Sequence, residues 1–396
     1  MSHHPPFEPD LSDSVVARAA ALRASLQADA AARDLAGGRP TAQITQLRAI
    51  GLLSTWLPTA YGGEGSSWLS VLRAVRELAR ADGAIAHLYG YHHLNLHSVR
   101  ARATPAQRDR WFTDSARAQW LWANSGNTLS PTSTARRDGD AWVLDGFRPF
   151  SSGTHVADRI VVSWENAEGQ RTSAVVPADR AGVVIADDWD GIGQRQTGSG
   201  TVRFEGVRIA DDEVFLRPGA PLTPFASLIP QLQQSVLLNV FVGSAQGALD
   251  EGSAYTRAES RPWIHSGVER HVDDPWVQRK YGELAIRTLA ATELADAAAR
   301  SLDAAYAEGD ALTPQQRGAL AIEVAAANVY AGEAGLAVSE QVFEVTGARS
   351  ATRARGYDRF WRNVRTHTLH NPAEYKKRSV GHWFLSGDFP EPGVYR

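Results

Sequence analysis

The spacing of apolar residues changes twice along this chain, and these changes constrain the fold more than any single motif. Over residues 1–118, apolar side chains recur every three or four positions, which is typical of amphipathic helices. Helical spacing returns after residue 224, in stretches at 225–258, 275–307 and 313–345 and in a terminal helix. Between them, short runs of β-forming residues separated by Asp-Gly and Glu-Gly turns predict strands at 141–144, 159–164, 172–176, 182–185 and 201–204.

These changes predict an α+β protein in three parts. An N-terminal α-helical domain (1–118) precedes a central β domain (119–224), which ends in a proline-rich linker. Four long C-terminal helices (225–396) that share an apolar core suggest a bundle. A chain of 396 residues is also longer than a single hydrophobic core usually supports.

Charge and composition exclude several classes of function. A formal net charge of −3 gives no electrostatic argument for binding nucleic acid or an anionic membrane. The absence of cysteine excludes disulfides, thiolate metal sites and cysteine nucleophiles. No apolar run approaches membrane-spanning length, and the first six residues lack the charged start and apolar centre of a secretory signal. We therefore expect a cytoplasmic protein that binds neither nucleic acid nor membrane.

The segment 357–376 carries the strongest functional signal. Helical spacing places aromatic and aliphatic side chains beside a cluster of arginines, so this helix is expected to need an anionic partner. Because Pro372 stops the helix, His367 and His370 are predicted to lie where it ends. Histidines favour the C-terminus of any exposed helix. Paired histidines beside arginines also bind anionic cofactors and move protons, so both interpretations stay open.

Three further segments could line a ligand site. The loop at 191–200 is rich in glycine and hydroxyls, which suits a phosphate-bearing ligand but equally a flexible β connection. Its glycine spacing is not that of a dinucleotide fingerprint. Trp189 precedes this loop, and the hydroxyls of segment 150–153 and the aromatics and amide of segment 120–125 could line a flat, polar-edged ring such as an isoalloxazine.

One predicted helix carries an unusual set of histidines. His87 and Tyr91 share a face of an otherwise apolar helix, which would shield them from water. His93 and His97 share another face, but no carboxylate joins them at a recognised metal-site spacing and no HExxH occurs. We therefore predict no metal.

The chain resembles the acyl-CoA dehydrogenase fold over nearly its whole length, and within it the reduced-flavin-dependent dibenzothiophene monooxygenases. That fold has an N-terminal helical domain, a central β-barrel domain and a C-terminal four-helix bundle. The motifs that carry the resemblance are Leu52-Leu before Tyr61-Gly-Gly, Ala81-Asp-Gly-Ala-Ile-Ala-His-Leu-Tyr-Gly-Tyr-His92, Asp187-Asp-Trp, Arg195-Gln-Thr, Phe204-Glu-Gly-Val-Arg, Ala311-Leu-Thr-Pro and Asp358-Arg-Phe-Trp-Arg-Asn-Val-Arg-Thr-His with Leu369-His370.

The resemblance implies roles for individual residues. His370 corresponds to the family's essential histidine near the flavin, and the other implied catalytic groups are His87, Tyr91, Asn124 and Ser152. The implied flavin-binding set is Asn124, Phe150, Ser152, Arg195, Thr197, Arg279, His367 and His370. The implied substrate pocket comprises His87, Tyr91 and Trp189.

Two departures from the dehydrogenases bear on the reaction. Their carboxylate base, in a Tyr-Glu-Gly-Thr run, has no counterpart in residues 366–370, so removal of a substrate α-proton lacks an agent. Their Gln-x-x-Gly-Gly-x-Gly run appears here as Gln341-Val-Phe-Glu-Val-Thr-Gly347. Glu344 and Val345 would obstruct an adenine dinucleotide, which favours FMN over FAD without excluding FAD.

The implied function is that of a two-component monooxygenase. A separate NAD(P)H-dependent reductase would supply reduced flavin, and O2 would form a C4a-hydroperoxyflavin in a dry pocket. His370, with a pKa near neutrality, would activate the peroxide towards sulfur, nitrogen or an indole-like carbon. The family also suggests a homotetramer. Two alternatives remain: an acyl-CoA dehydrogenase with its base relocated to Glu374, and a flavin-free helical binding protein.

Overall fold

A computed structural model describes residues 7–394 and has the predicted order of helices, strands and helices. The N-terminal helices are α1 (Ser14–Ala36), α2 (Thr41–Ala49), α3 (Trp68–Ala79), α4 (Gly83–Arg102) and α5 (Pro105–Ala118). Their starts follow from local chemistry. The Asp82 carboxylate accepts hydrogen bonds from the first backbone N–H groups of α4. The Thr104 hydroxyl accepts a hydrogen bond from Gln107 N at the start of α5, and Pro105 is the first residue of that helix.

The middle of the chain forms eight strands. They are β1 (Trp122–Ser125), β2 (Ser133–Asp138), β3 (Ala141–Arg148), β4 (Arg159–Glu165), β5 (Arg171–Pro177), β6 (Val183–Ile185), β7 (Val202–Ala210) and β8 (Val214–Leu216). One four-stranded sheet has the order β1-β4-β5-β8 and the other β2-β3-β7-β6. β1 pairs with β4 in parallel. The apolar faces of the two sheets share one core, to which Ile160 and Val176 contribute from one sheet and Leu144 and Val207 from the other.

The five strands predicted from the sequence are confirmed, whereas β1, β2 and β8 were not predicted. The sequence of β2, Ser-Thr-Ala-Arg-Arg-Asp, is mostly exposed and lacks the alternation of a half-buried strand. β2 is a strand because it pairs with β3 along its whole length. β1 and β8 are only four and three residues long, too short for a periodic signal.

Helices α6 (Ile229–Ala258), α7 (Pro275–Glu308), α8 (Pro314–Thr346), α9 (Asp358–Thr368) and α10 (Ala373–Ser386) complete the fold. α9 ends before Pro372, as predicted. α10 was not predicted, because Pro372 was interpreted only as a stop; it also lies at the N-terminal boundary of a new helix. No helix within residues 7–394 is long and apolar enough to cross a membrane.

One continuous apolar core joins the N-terminal and C-terminal helices. α3 contributes Leu72 and Val75, and α6 contributes Leu238 and Phe241. α4 is buried along almost its entire length, because α3, α6, α9 and β1 all pack against it. Its histidines therefore lie inside the protein, where every polar atom requires a partner or a ligand.

The anionic partners of two of the three arginines of α9 lie within the chain itself. Arg359 is 3% exposed and its guanidinium donates to the Glu251 carboxylate of α6 and, at 3.0 Å, to the Gly356 carbonyl. Arg362 binds Asp34 at 2.5 Å and Asp358 at 2.7 Å. These pairs hold α9 against α6 and the end of α1.

Replacement of Glu251 by glutamine is expected to destabilise the protein by about 3–5 kcal/mol, because it leaves the buried Arg359 charge without its counterion. Urea unfolding at neutral pH measures the change in free energy. The control is Asp358→Asn, which removes an exposed partner of Arg362 and should cost less than about 1 kcal/mol. Equal losses for the two variants would contradict the assignment of Arg359–Glu251 as a buried anchor of α9.

Candidate active site

Three rings from two helices stack at the centre of the protein. The His87 ring of α4 lies between the ring of Tyr91, at a centroid distance of 4.0 Å and an interplanar angle of 19°, and the ring of His367, at 4.5 Å and 22°. His87 and Tyr91 are one helical turn apart, and His367 is in the last turn of α9. The structure thus brings together three residues that sequence analysis assigned to one site.

The two stacked imidazoles are uncharged at neutral pH. Burial, reinforced by His370, lowers the pKa of His87 to about 3. Burial, with smaller contributions from His87 and His370, lowers the pKa of His367 well below its usual value. Both ring nitrogens of His87 and Nδ1 of His367 have no hydrogen-bond partner among residues 7–394. A bound ligand could supply the hydrogen-bond partners that these buried nitrogens lack.

His370 lies just beyond the end of α9 and is partly buried. The Nε2 of Gln233 from α6 lies 3.4 Å from its Nε2. With the Gln233 amide nitrogen as donor, the matching neutral tautomer of His370 accepts at Nε2 and carries its proton on Nδ1. The expectation of a near-neutral pKa was wrong: burial, and then the nearby Lys376, lower the pKa of His370 to about 4.

A chain of hydroxyls forms the opposite part of the site. The Ser152 and Ser199 hydroxyls are 2.7 Å apart, as are those of Ser199 and Thr197. Thr197 Oγ1 donates to the Gln194 carbonyl at 2.8 Å. Two backbone hydrogen bonds join these segments, from Gly153 N to Thr197 O and from Ser151 N to Gly200 O. Ser199 was not singled out from the sequence, although its loop was.

Close backbone contacts bring the segments that carry these hydroxyls against α4 and α9, the two helices that carry the stacked rings. Gly153, with φ of +77°, lies so near α4 that an added Cβ would be 2.9 Å from Leu88 Cδ2. The loop at 191–200 packs on α9, since a Cβ at Gly193 would lie 2.2 Å from the Arg362 carbonyl oxygen. Asn363 fixes the same loop by accepting a hydrogen bond from Gln194 N at 2.6 Å. This loop is therefore docked between the β sheets and the helices.

Two aromatic residues lie beside the hydroxyl chain. Phe150 is 63% exposed and has a φ of +57°, and its ring meets that of Trp189 edge to face at 6.3 Å. Trp189 Nε1 donates to the Gln194 carbonyl at 2.9 Å. Asn124 is partly buried on β1, and because neighbouring strand residues point to opposite faces, its side chain lies on the face opposite that of Ala123, which faces Gly153. These positions agree with a flat ring bound at the edge of the β domain.

Two arginines of the predicted flavin-binding set direct their guanidinium groups to other parts of the protein. Arg195 donates to the Asp34 and Leu35 carbonyls at 2.6 and 3.2 Å, so its guanidinium binds the end of α1. Arg279 is exposed on α7, with its guanidinium 5.9 Å from the centre of the Trp276 ring. Their proposed contacts with flavin remain predictions.

The remaining histidines of α4 are hydrogen-bonded only in part, because His93 Nδ1 and His97 Nε2 also have no partner among residues 7–394. His92 accepts from Trp122 N at 3.1 Å, so its other nitrogen donates to Leu53 O at 2.7 Å. His97 Nδ1 hydrogen-bonds the Tyr306 hydroxyl. Within the described part of the chain, no cluster of three or more histidine or carboxylate side chains is arranged to hold a metal ion.

Comparison with known proteins identifies the fold family. Residues 15–119 match the N-terminal domain of the acyl-CoA dehydrogenases and residues 236–374 match their C-terminal domain. SfnC of Pseudomonas putida, described as a probable FMNH2-dependent monooxygenase, is 43% identical over 366 residues, which cover 92% of each chain. The chain belongs to the monooxygenase branch of the acyl-CoA dehydrogenase family.

Two solved structures of this family superpose closely. The methanesulfinate monooxygenase MsuC of Pseudomonas fluorescens has a TM-score of 0.94 and 39% identity, and the alignment covers 96% of this chain and 99% of MsuC. TdsC of Paenibacillus sp. A11-2, a dibenzothiophene monooxygenase, was solved with FMN and indole. It has a TM-score of 0.92 and 36% identity over 97% of this chain and 100% of TdsC.

The acyl-CoA dehydrogenases use a carboxylate as their catalytic base. Among the contacts described for this site, no carboxylate replaces it. Glu374, the relocated base considered above, is exposed on α10 and pairs with Lys377 at 3.0 Å. The groups that the site does present are neutral imidazoles, hydroxyls and amides. They fit a flavin, whose flat ring would lie beside the stacked rings and whose polar edge would satisfy the unpartnered nitrogens of His87 and His367.

Proposed function

We propose that this protein is a two-component monooxygenase that takes reduced FMN from a separate NAD(P)H-dependent reductase and inserts one atom of O2 into a small organic substrate. The observation that carries the proposal is the set of buried, uncharged imidazoles around the site, without a carboxylate base. Bound reduced FMN would supply the electrons that activate O2. The protein residues would exclude water, hold the flavin and place protons.

Individual roles follow from the contacts. Ser152, as part of its hydroxyl chain, and Asn124 would bind the polar edge of the flavin ring. Neutral His370, with its proton on Nδ1, would donate a hydrogen bond in the site and so assist oxygen transfer. Its depressed pKa means that it acts as a neutral donor over the physiological range, without first binding a proton. His87 and Tyr91 would form the wall against which the substrate stacks.

The substrate class that fits best is a small organosulfur compound. The two structural relatives named for a substrate act on methanesulfinate and on dibenzothiophene, and TdsC also binds indole. Oxidation at nitrogen or at an indole-like carbon is the second possibility. FMN is favoured over FAD because SfnC is described as FMNH2-dependent and TdsC binds FMN. The pairing of Glu344 with Lys280, at 3.1 Å, also keeps a carboxylate where an adenine dinucleotide would approach.

The assay that tests the proposal combines the protein with a flavin reductase, NADH, FMN, O2 and catalase. Dibenzothiophene, methanesulfinate and indole serve as probes, and mass spectrometry detects products that have gained one oxygen atom. We expect oxygenation of at least one probe in the presence of catalase, and faster turnover with FMN than with FAD. Formation of enoyl-CoA from butyryl-CoA and an artificial electron acceptor without O2 would instead identify a dehydrogenase.

We further propose that the protein acts in the cytoplasm as a homotetramer. Several large apolar side chains are exposed on α10 and around the start of α7, namely Trp263, Ile264, Trp276, Phe384 and Leu385. Exposed apolar patches of this kind are typical of subunit interfaces. Light scattering after size-exclusion chromatography measures the assembly, and Leu385→Asp on the α10 surface is expected to reduce it.

A further inference from the structure

Lys376 is a buried lysine that has no carboxylate partner among residues 7–394. It is 7% exposed on α10, and its ammonium donates to Asn328 Oδ1 at 2.7 Å and to the Asn371 carbonyl at 3.2 Å. Both acceptors are neutral. A buried charge compensated only by neutral oxygens is costly, so its presence calls for an explanation beyond packing.

The contacts of Lys376 lead to His370 along two routes. The first is along the chain, since Asn371 directly follows His370 in the reversal between α9 and α10. The second crosses the bundle. Asn328 of α8 donates from Nδ2 to the Gln234 carbonyl of α6 at 2.9 Å, and the neighbouring Gln233 contacts His370 Nε2. Lys376 thus connects three helices that surround the imidazole.

The charge of Lys376 persists at neutral pH. Burial lowers the pKa of Lys376 to about 8, which leaves the ammonium mostly protonated at pH 7. The other titratable groups that act on this site are His367 of α9 and His87 of α4, both neutral. Gln233 from α6 and Asn328 from α8 carry no charge. The electrostatic influence on His370 therefore comes mainly from Lys376.

We infer that Lys376 is a positioning residue for His370: it fixes the chain reversal that presents the imidazole to the site and places a buried positive charge beside it. The inference rests on the proposed function for its consequence, that a neutral His370 donates from Nδ1 in the reaction. The placement and the charge effect are properties of the protein without flavin.

The test follows His370 in the flavin-free protein by NMR of isotopically labelled histidine, with His370→Gln used to assign its signal. The onset of its titration is measured between pH 7.5 and 6, above the range in which acid unfolds the protein. Lys376→Met is expected to raise the proton affinity of His370 on the order of tenfold, because it removes a nearby like charge. Lys376→Arg keeps the charge and should leave the titration near that of wild type. The matched control is Lys377→Met on the same helix, where the lysine is exposed and pairs with Glu333 and Glu374.

A second variant allows the inference to be tested if Lys376→Met does not fold. Asn328→Asp keeps the lysine and an oxygen acceptor, and its carboxylate offsets the ammonium charge, so it should shift the His370 titration in the same direction. An unchanged His370 titration in Lys376→Met, or in Asn328→Asp if the first variant does not fold, would overturn the inference. Because this measurement uses no flavin, it is independent of whether the protein proves to be a monooxygenase.

The functional readout is the pH profile of coupling in the two-component assay. In wild type the ratio of product to H2O2 should be constant between about pH 6 and 7, since His370 stays neutral there. In Lys376→Met the fall in this ratio on acidification should begin at higher pH, and Lys376→Arg should restore the wild-type profile. A Lys376→Met profile with the same pH dependence as wild type, whatever its overall level, would contradict the inference that the Lys376 charge acts on His370.

Discussion

Replacing His370 with alanine is expected to lower the yield of oxygenated product by about 10²–10³-fold, the usual range for loss of one preorganised hydrogen-bond donor. Flavin oxidation should continue, so H2O2 should replace the missing product. The physical reason is the place of His370 at the end of α9, where its neutral ring is held through Gln233 and carries a proton on Nδ1. Product by mass spectrometry and H2O2 by a peroxidase assay, measured on the same samples, give the ratio.

The matched control for this variant is His382→Ala. His382 is exposed on α10, twelve residues farther along the chain, and contacts only Ser386 among the side chains described. It should retain the wild-type ratio of product to H2O2. If His370→Ala retains that ratio too, His370 has no part in oxygen transfer, and the role would pass to His87 or His367.

Acidification from pH 7.5 to 5 is expected to destabilise the fold by several kcal/mol. His87, His92, His93, His97 and His367 are buried, and burial lowers the pKa of each below its usual value, to about 3 for His87 and His97 and about 4 for His92. In the unfolded chain each would titrate near 6.5. Below that pH the unfolded state binds more protons, so stability is fully present above about pH 6.5 and is lost as the pH falls towards 4 or 3.

The size of this effect follows from the number of groups. Each such histidine contributes up to about 1.4 kcal/mol per pH unit in the window, so five together reach roughly 7 kcal/mol per unit. Typical proteins are stable by only about 5–15 kcal/mol. Urea unfolding midpoints at pH 7.5, 6.0 and 5.5 measure the slope. His97→Gln should make it shallower and His382→Gln should leave it unchanged; equal midpoints at pH 7.5 and 5.5 would refute the neutral state of these imidazoles.

Much of the architecture was predictable because the signals were local. Apolar periodicity located the long helices, runs of β-forming residues between turns located five strands, and Pro372 located the end of α9. β2 could not be predicted because its strand conformation depends on pairing with β3. α10 was missed because a proline that ends one helix can also precede the next.

The site was predictable only in part, for a similar reason. Family motifs pointed to His87, Tyr91 and His367, and the structure stacks their rings. Gln233 and Asn328 come from helices distant in the chain and gave no local signal. Ser199, Asn363 and Lys376 lie in segments that sequence analysis singled out, but their contacts depend on the assembled fold. The pKa of His370 was mispredicted because its burial is a property of the assembled helices.

A single-turnover experiment with ¹⁸O2 tests the central claim most directly. Protein carrying photochemically reduced FMN is mixed without reductase with ¹⁸O2 and whichever probe is oxygenated in steady state, and the product is analysed by mass spectrometry. We expect one ¹⁸O atom in the product for each flavin oxidised, a yield that collapses in His370→Ala but not in His382→Ala. Oxidised flavin with no ¹⁸O in any product, and with all of the oxygen recovered as H2O2, would contradict the claim that this site transfers oxygen to a substrate.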